Sequence, residues 1–244
     1  MTRRILEVAA NSVASALTAE AGGADRVELC CALEVGGLTP SSAAITVATE
    51  RLHIPIHVLI RPRSGDFVFD DLECKVMCHD IEACGLLGCA GVVIGALDAD
   101  GNIDQPHCRE FIRAAGTMAV TFHRAFDFSN DPLAALETVI DLGYSRLLTS
   151  GQAADALAGS LVIRGLIERA HGRISVMPGG GINAGNIAAI ARGTGARELH
   201  TSAKVHTAGR MHQPPSRIGE MDAGYWQTDV NEVRARVEAL EALP

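Results

Sequence analysis

The apolar run Ile5-Leu6-Glu7-Val8 and the run Arg26-Val27-Glu28-Leu29-Cys30 enclose a stretch of helical character that opens at Ser12 and stops at Gly22-Gly23. Strand, helix, strand in so short a span reads as a parallel unit, because the helix must carry the chain back to the start of the next strand. The rhythm continues outward from there. Strands are expected to begin near Ile5, Arg26, Pro55, Gly91, Ala119, Arg146, Ile174 and Glu198. Between them, helices are expected over 41–51, from Asp70 or Asp71 to near Gly85, over 104–115, from Asp131-Pro132 to Gly143, over 161–170 and over 186–192. Serine or aspartate caps and an early proline mark starts; glycines mark stops. Eight repeats at a period of roughly 25 to 30 residues predict an α/β fold, a single-domain TIM-type (β/α)8 barrel over 1–204. The runner-up is a doubly wound open sheet. Residues 205–227 read as a long irregular segment, either a lid over the barrel mouth or an oligomer contact. Asp229 and Glu232 make a capping-box-like start for a final helix, so 205–244 belongs to the same domain.

Composition agrees. The 244 residues are 48% hydrophobic and 20% charged, which excludes a disordered or fibrous chain. Aromatics are only 4% against 25 glycines, which suits close-packed parallel strands and helices. The net charge of −8 argues against a nucleic-acid or anionic-membrane partner. Seven irregularly spaced cysteines and no signal-like start to the sequence read as free thiols in a reducing cytoplasm.

Buried parallel strands should be almost wholly apolar, so their polar residues carry the information. Glu7 lies in the first strand, Glu28 in the second, His57 and Arg61 share a face of the third, His123 and Arg124 close the fifth, and His200 closes the eighth. Barrel enzymes place their chemistry at the C-terminal ends of strands. An interior charge must also be paired. The expected pocket therefore comprises Glu7, Glu28, Arg61, His123, Arg124, Asp127 and His200; the alternative is an ion-pair plug. His57 sits lower and reads as a satisfied core histidine. Gly179, Gly180 and Gly181 follow the seventh strand, and Thr201, Ser202 and Lys204 follow the eighth. These two loops read as an anion site, with backbone N–H groups, hydroxyls and a cation. A tight turn is the plainer reading of the glycines.

Cys30 shares the parity of Glu28 and should face the barrel mouth, while Cys31 points away. Cys74 and Cys78 are four apart on a helix and could hold a soft ion, or simply fill space. No CxxC or HExxH pattern signals zinc.

The strings Gly22-Gly23-Ala24-Asp25-Arg26-Val27-Glu28-Leu29-Cys30, Gly36-Gly37-Leu38-Thr39-Pro40-Ser41, Ile60-Arg61-Pro62-Arg63-Ser64-Gly65-Asp66-Phe67 and Thr121-Phe122-His123-Arg124-Ala125-Phe126-Asp127 resemble the CutC family. Leu148-Thr149-Ser150-Gly151, Met177-Pro178-Gly179-Gly180-Gly181-Ile182 and His200-Thr201-Ser202-Ala203 continue the resemblance in order, from about Glu7 to Lys204. The resemblance implies a cytoplasmic barrel linked by name to copper homeostasis, copper binding, and a homo-oligomer. Cys30 stands at the family's Glu-Leu-Cys position; a role for Cys74 and Cys78 would be peculiar to this chain.

Two functions are then in play. One is a copper-homeostasis protein that binds Cu(I) through Cys30, with another thiol, a histidine or Met177 beside it. The other is an enzyme of unknown reaction acting on a small anionic substrate, phosphorylated or not, at the barrel mouth. There Arg61 and Arg124 would neutralise the anion, His123 or His200 would be the acid or base, and Glu28 or Glu7 would orient a histidine or act as the base. The rim holds more hard, ionisable groups than a Cu(I) site wants.

Overall fold

In the computed structural model, which describes residues 3–212 and 223–243, eight parallel strands hydrogen-bond in the order β7-β6-β5-β4-β3-β2-β1-β8. They are β1 (Ile5–Ala10), β2 (Arg26–Leu29), β3 (Ile56–Leu59), β4 (Gly91–Ile94), β5 (Ala119–Phe122), β6 (Arg146–Thr149), β7 (Ser175–Pro178) and β8 (Glu198–Thr201). A helix follows each: α1 (Val13–Ala21), α2 (Ser42–Arg51), α3 (Asp71–Leu86), α4 (Gln105–Ala115), α5 (Pro132–Asp141), α6 (Ser160–Ala170), α7 (Ile187–Thr194) and α8 (Val230–Glu241). The two end strands face one another across a seam, where a side chain at Gly179 would lie 3.3 Å from His200 Cβ. The barrel is thus nearly closed, and the open sheet is set aside.

Local sequence accounts for the helix ends. Ser12, Ser41, Asp104 and Asp131 cap α1, α2, α4 and α5 by accepting backbone N–H groups. Asp70 and Glu73 close a full capping box on α3. At α8 only half of the expected box forms. Asp229 accepts from Asn231 and Glu232, while the Glu232 carboxylate turns to Arg236.

Alternation along each strand separates two environments. Leu6, Val8, Val27, Leu29, Val58, Val92, Ile94, Phe122, Leu147 and Leu199 face outward and pack beneath the helices in one continuous apolar layer. The inward set mixes polar residues with Ala9, Leu148, Met177 and a small patch of Cys30, Leu59 and Val93. The final helix completes the outer ring: Val233, Arg236 and Leu240 are buried, and Val233 packs on Gly22.

The segment after β8 is not wholly irregular. Lys204–Thr207 (β9) and Tyr225–Thr228 (β10) pair as an antiparallel ribbon, with Trp226 opposite His206. Residues 213–222, the middle of the segment expected to be a lid or oligomer contact, lie outside the described residues.

Two glycines separate the demands of barrel and ring. A methyl group on Gly91 in β4 would lie 2.6 Å from Ala119 O and 2.7 Å from His57 Nε2. Gly165, inside α6, has open space around it. Gly91→Ala should lower stability by about 1–3 kcal/mol through overpacking. Gly165→Ala should raise it by about 0.5–1 kcal/mol through helix propensity. Urea unfolding of the two variants checks both signs.

Candidate functional site

The lower half of the barrel interior is a chain of ion pairs. Arg146 Nε donates to Glu198 Oε2 at 2.8 Å, and Arg26 Nη2 donates to the same oxygen at 2.6 Å. Arg26 Nε then donates to Glu7 Oε2. Glu7 is wholly buried, and burial alone would raise its pKa. Arg26 and a hydrogen bond from His200 outweigh that and hold the carboxyl well below the ordinary range. This layer is the plug weighed as the alternative for the rim. It is built mainly from Arg26, Arg146 and Glu198, which the sequence reading placed at strand starts without a role. Their signal was parity: Arg26 alternates with Glu28, and Glu198 with His200.

Above the plug the pairing stops. Glu7 Oε1 accepts from His200 Nδ1 at 2.7 Å, which turns His200 Nε2 away from Glu7. Ala9 stands opposite Glu28 in the β1–β2 register, and its small side chain leaves room for Glu28 and His200 to approach over β1. One donor atom each from Glu7, Glu28 and His200 falls within 4.8 Å of the others. Burial pushes Glu28 up to about 7, with the negative Glu7 adding to it and His200 and Arg26 opposing. Burial works against protonation of His200, but Glu28 and Glu7 prevail and its pKa is raised. Glu28 Oε2 is buried with no hydrogen-bond partner.

The wall formed by β3 to β5 carries Arg61 and His123. Arg61 is held by carbonyls alone: Nη1 donates to Val35 O at 3.0 Å and Gly37 O at 3.1 Å, and Nη2 to Gly65 O at 2.8 Å. Its guanidinium lies 4.9 Å from the Phe67 ring centre, and Nε has no partner. His123 also packs at a tilt on Phe67, with ring centres 5.0 Å apart. A side chain on Gly95 would come within 2.9 Å of His123 Nδ1, so its absence lets the imidazole lean across β4. Nδ1 accepts the Ala125 N–H at 3.2 Å, so Nε2 carries the proton of the neutral ring; that atom too is buried and unpartnered. Burial, reinforced by Arg61, lowers the His123 pKa to about 3.

These groups line one cavity of about 410 Å³ at the C-terminal ends of the strands, together with Arg124, Gly180, Gly181, Thr201, Ser202 and Lys204. Glu7, Asp127 and Gly179 are not on its wall. Glu7 lies beneath His200. Asp127 is filled by donors from Arg124, Thr149, Ser150 and Gln152, and it positions Arg124 and the loop after β6. Arg124 reaches past it to Ser150 Oγ at 3.0 Å. The glycine triplet has structural reasons of its own. A side chain on Gly179 would strike Leu148, and one on Gly181 would strike Asp155. Gly180, at φ +97°, lies beneath the Arg124 guanidinium. Thr201 is committed as well, donating to Ile182 O and accepting from Arg236 Nε. Lys204 rests over Trp226, 4.9 Å from the ring centre.

The thiols are elsewhere. Cys30 faces inward as parity required, but its sulfur points to Ala10 O at 3.5 Å and burial raises its pKa well above the usual thiol value. Met177 Sδ accepts from Arg26 in the plug. Cys31 donates to Thr39 O, and burial pushes Cys74 up to about 12. Among the described residues, the one grouping of three His, Cys, Asp or Glu donors is Glu7, Glu28 and His200. It contains no sulfur, and both Glu7 oxygens are already engaged, so it does not fit Cu(I). His57 is a neutral core histidine, lowered to about 4 by burial against the pull of Glu7, but Nδ1 finds no hydrogen bond and is not satisfied.

Fold and site together define a (β/α)8-barrel protein with an ionisable pocket on its C-terminal face. The CutC family profile matches residues 4–205. A protein of Xanthomonas campestris pv. campestris named as family protein CutC is 54% identical over 97% of this chain and 98% of its own length. The human copper homeostasis protein cutC homolog is 50% identical over 82% of this chain and 73% of its own. A crystal structure of a Streptococcus agalactiae protein named for CutC and copper homeostasis superposes with a TM-score of 0.78 at 32% identity, over 82% of this chain and 98% of that one. The chain belongs to the CutC family. No helix among its described residues is long and apolar enough to cross a membrane.

The buried histidines set an acid limit. His57 and His123 have folded pKa values of about 4 and 3 against an ordinary 6.5, so below pH 6.5 the unfolded chain binds protons the folded one refuses. Stability therefore falls as pH falls through that window. Glu28 acts oppositely: its folded value of about 7 against 4.5 gives stability at low pH that is lost as pH rises through 7. His123→Gln removes one of the two histidine contributions. Its stability-versus-pH curve should be flatter than wild type by about 1.4 kcal/mol per pH unit between pH 4 and 6.5. Parallel curves from urea unfolding would contradict a neutral His123.

Proposed function

We propose that this CutC-family protein binds a small oxyanion in the barrel mouth and performs acid–base chemistry on the molecule that carries it. The observation that carries the reading is Arg61: a buried cation on the cavity wall, held by carbonyl groups, with Nε unpartnered and no carboxylate ion pair among the described residues. A buried charge without a counter-charge is costly unless a ligand supplies one. Arg124 and Lys204 add cations at the rim, and Ser202 and the Gly180–Gly181 backbone add polar lining. The hydrogen-bonded line Glu7–His200, with Glu28 beside it, is the acid–base element. Glu7 fixes the imidazole, and Glu28 changes charge near neutrality.

The relatives' names associate the family with copper. At the barrel mouth Cu(I) would have to begin at Cys30, whose sulfur points to Ala10 O and which packs with Leu59 and Val93. Cys30→Ser and Cys108→Ser should therefore show equal Cu(I) affinity in competition with a chelator under reducing conditions. A selective loss in Cys30→Ser would restore a thiol site at the mouth.

Anion binding is tested by thermal melts with inorganic phosphate, sulfate and simple phosphorylated metabolites at matched ionic strength. A bound anion at about a hundredfold excess over its dissociation constant should stabilise the wild type by about 2.7 kcal/mol. The shift should shrink in Arg124→Ala and vanish in the Arg61→Ala, Arg124→Ala pair. An unchanged shift in both variants would place the anion elsewhere.

A further inference from the structure

We infer that the pocket removes a proton from the carbon beside a substrate carbonyl, with Glu28 taking the proton and His123 and Arg61 donating hydrogen bonds to the carbonyl oxygen as it becomes an enolate. The inference rests on the anion-pocket reading and adds to it a substrate class: a small anionic aldehyde, ketone or 2-oxo acid with a hydrogen on the adjacent carbon.

Three unpartnered buried polar atoms on the cavity wall carry the argument: Glu28 Oε2, Arg61 Nε and His123 Nε2. Two are donors and one belongs to a carboxyl group, and they come from different arcs of the barrel. Glu28 on β2 and His200 on β8 straddle β1, whereas Arg61 after β3 and His123 after β5 straddle β4. A ligand lying between the arcs meets donors on one side and a base on the other.

The donor pair suits a carbonyl better than a second anionic group. His123 is held as the neutral Nε2–H tautomer by the Ala125 amide, and burial keeps it neutral down to about pH 3. A neutral imidazole N–H adds no full charge for an anion already present. It strengthens its bond as charge develops on an oxygen that begins uncharged, and its position needs no rearrangement when it does. The permanent anion of the substrate then shares the charge of Arg61 and is held otherwise by Arg124, Lys204, Ser202 and the Gly180–Gly181 backbone at the rim.

The step balances within the protein. The C–H bond breaks, its proton goes to the Glu28 carboxylate, the bonding pair forms the new C=C bond, and the carbonyl π pair moves onto oxygen. Return of the proton from Glu28 to the same carbon, as the oxygen pair re-forms the C=O bond, regenerates the carbonyl compound and the Glu28 carboxylate. The groups facing Glu28 are His200 from β8, Glu7 from β1, the neutral His57 opposite it on β3 and, on its own strand, Arg26 and Cys30. A carboxyl with a value of about 7 among them is a competent acceptor near neutrality.

The test follows deuterium uptake by proton NMR. Wild-type protein in deuterated buffer is given dihydroxyacetone phosphate or pyruvate, with melt shifts recorded for the same compounds. At least one should exchange its α-hydrogens, faster as pH rises through about 7. Glu28→Gln should slow exchange by about 100-fold or more. His123→Ala should slow it by about 100-fold, with partial recovery in His123→Gln, whose amide can still donate. Melting curves establish that the variants fold, and Glu28→Asp offers a second base-bearing variant if Glu28→Gln does not. Melt shifts that depend on Arg61 and Arg124 without any α-exchange would overturn this inference and leave the anion pocket standing. No melt shift with any of the anions would remove the pocket itself, and this inference with it.

Discussion

The Glu7 carboxylate is the constraint from which the rest of the interior follows. It is fully buried and cannot stay ionised there without partners. One oxygen takes Arg26 and the other takes His200. The first bond ties Glu7 into the chain through Glu198 to Arg146 and so joins strands from opposite ends of the sequence. The second fixes the orientation of the imidazole that faces the mouth. One residue thus belongs to the plug and governs the pocket. An apolar residue in its place would leave Arg26 and Arg146 to share the single Glu198 carboxylate and the imidazole unoriented.

The interior is split by charge accounting. Below Glu7 each acid has a base: Glu198 serves Arg26 and Arg146, and Arg26 serves Glu7. Above it, Arg61 has carbonyls, Glu28 has a neighbouring histidine and no hydrogen bond, and His123 has a free N–H. A structural network closes on itself because an unmatched buried polar group costs free energy. The lower network pairs its charges, leaving only Arg146 Nη1 and the neutral His57 Nδ1 without a hydrogen bond among the described residues, whereas above it the cation Arg61 and the Glu28 carboxyl have no counter-charge in hydrogen-bond contact. That boundary distinguishes a plug from a ligand site, and both are present in one barrel.

Most of the fold was legible because it rests on local signals. Eight apolar runs, each followed by a capped helix, are written in the chain, and Ser12, Ser41, Asp70, Asp104 and Asp131 cap the expected helices. The β9–β10 ribbon was not legible. Its strands, Lys204–Thr207 and Tyr225–Thr228, are short and far apart, and pairing at that distance leaves no turn signature between neighbours. At the site, parity along the strands placed Glu28, His123 and His200 correctly. It could not reach Asp127, which lies in a 3₁₀ turn (Arg124–Phe128), where strand alternation no longer applies. Arg26, Arg146 and Glu198 obey parity but were passed over because they stand at the N-terminal ends of strands, away from the face where chemistry is usual. The packing reasons for the glycine triplet were not legible. Leu148, Arg124 and Asp155 crowd it, and a sequence cannot show which neighbours will arrive from distant strands.

Donor hardness bears on how the family's copper association applies to this chain. Cu(I) is bound by thiolate and thioether. At the mouth the Cys30 thiol is buried and hard to ionise, and the Met177 sulfur in the barrel interior is turned toward an arginine. Oxygen and nitrogen dominate the mouth, and two of its cations, Arg61 and Lys204, have no carboxylate partner among the described residues. A cationic rim repels a free metal ion and attracts an anion. A carboxyl that titrates near neutrality is a poor permanent ligand and a good proton acceptor. Electrostatics, donor softness and proton affinity are independent physical criteria, and in this barrel all three favour a small organic anion over copper as the occupant of the mouth.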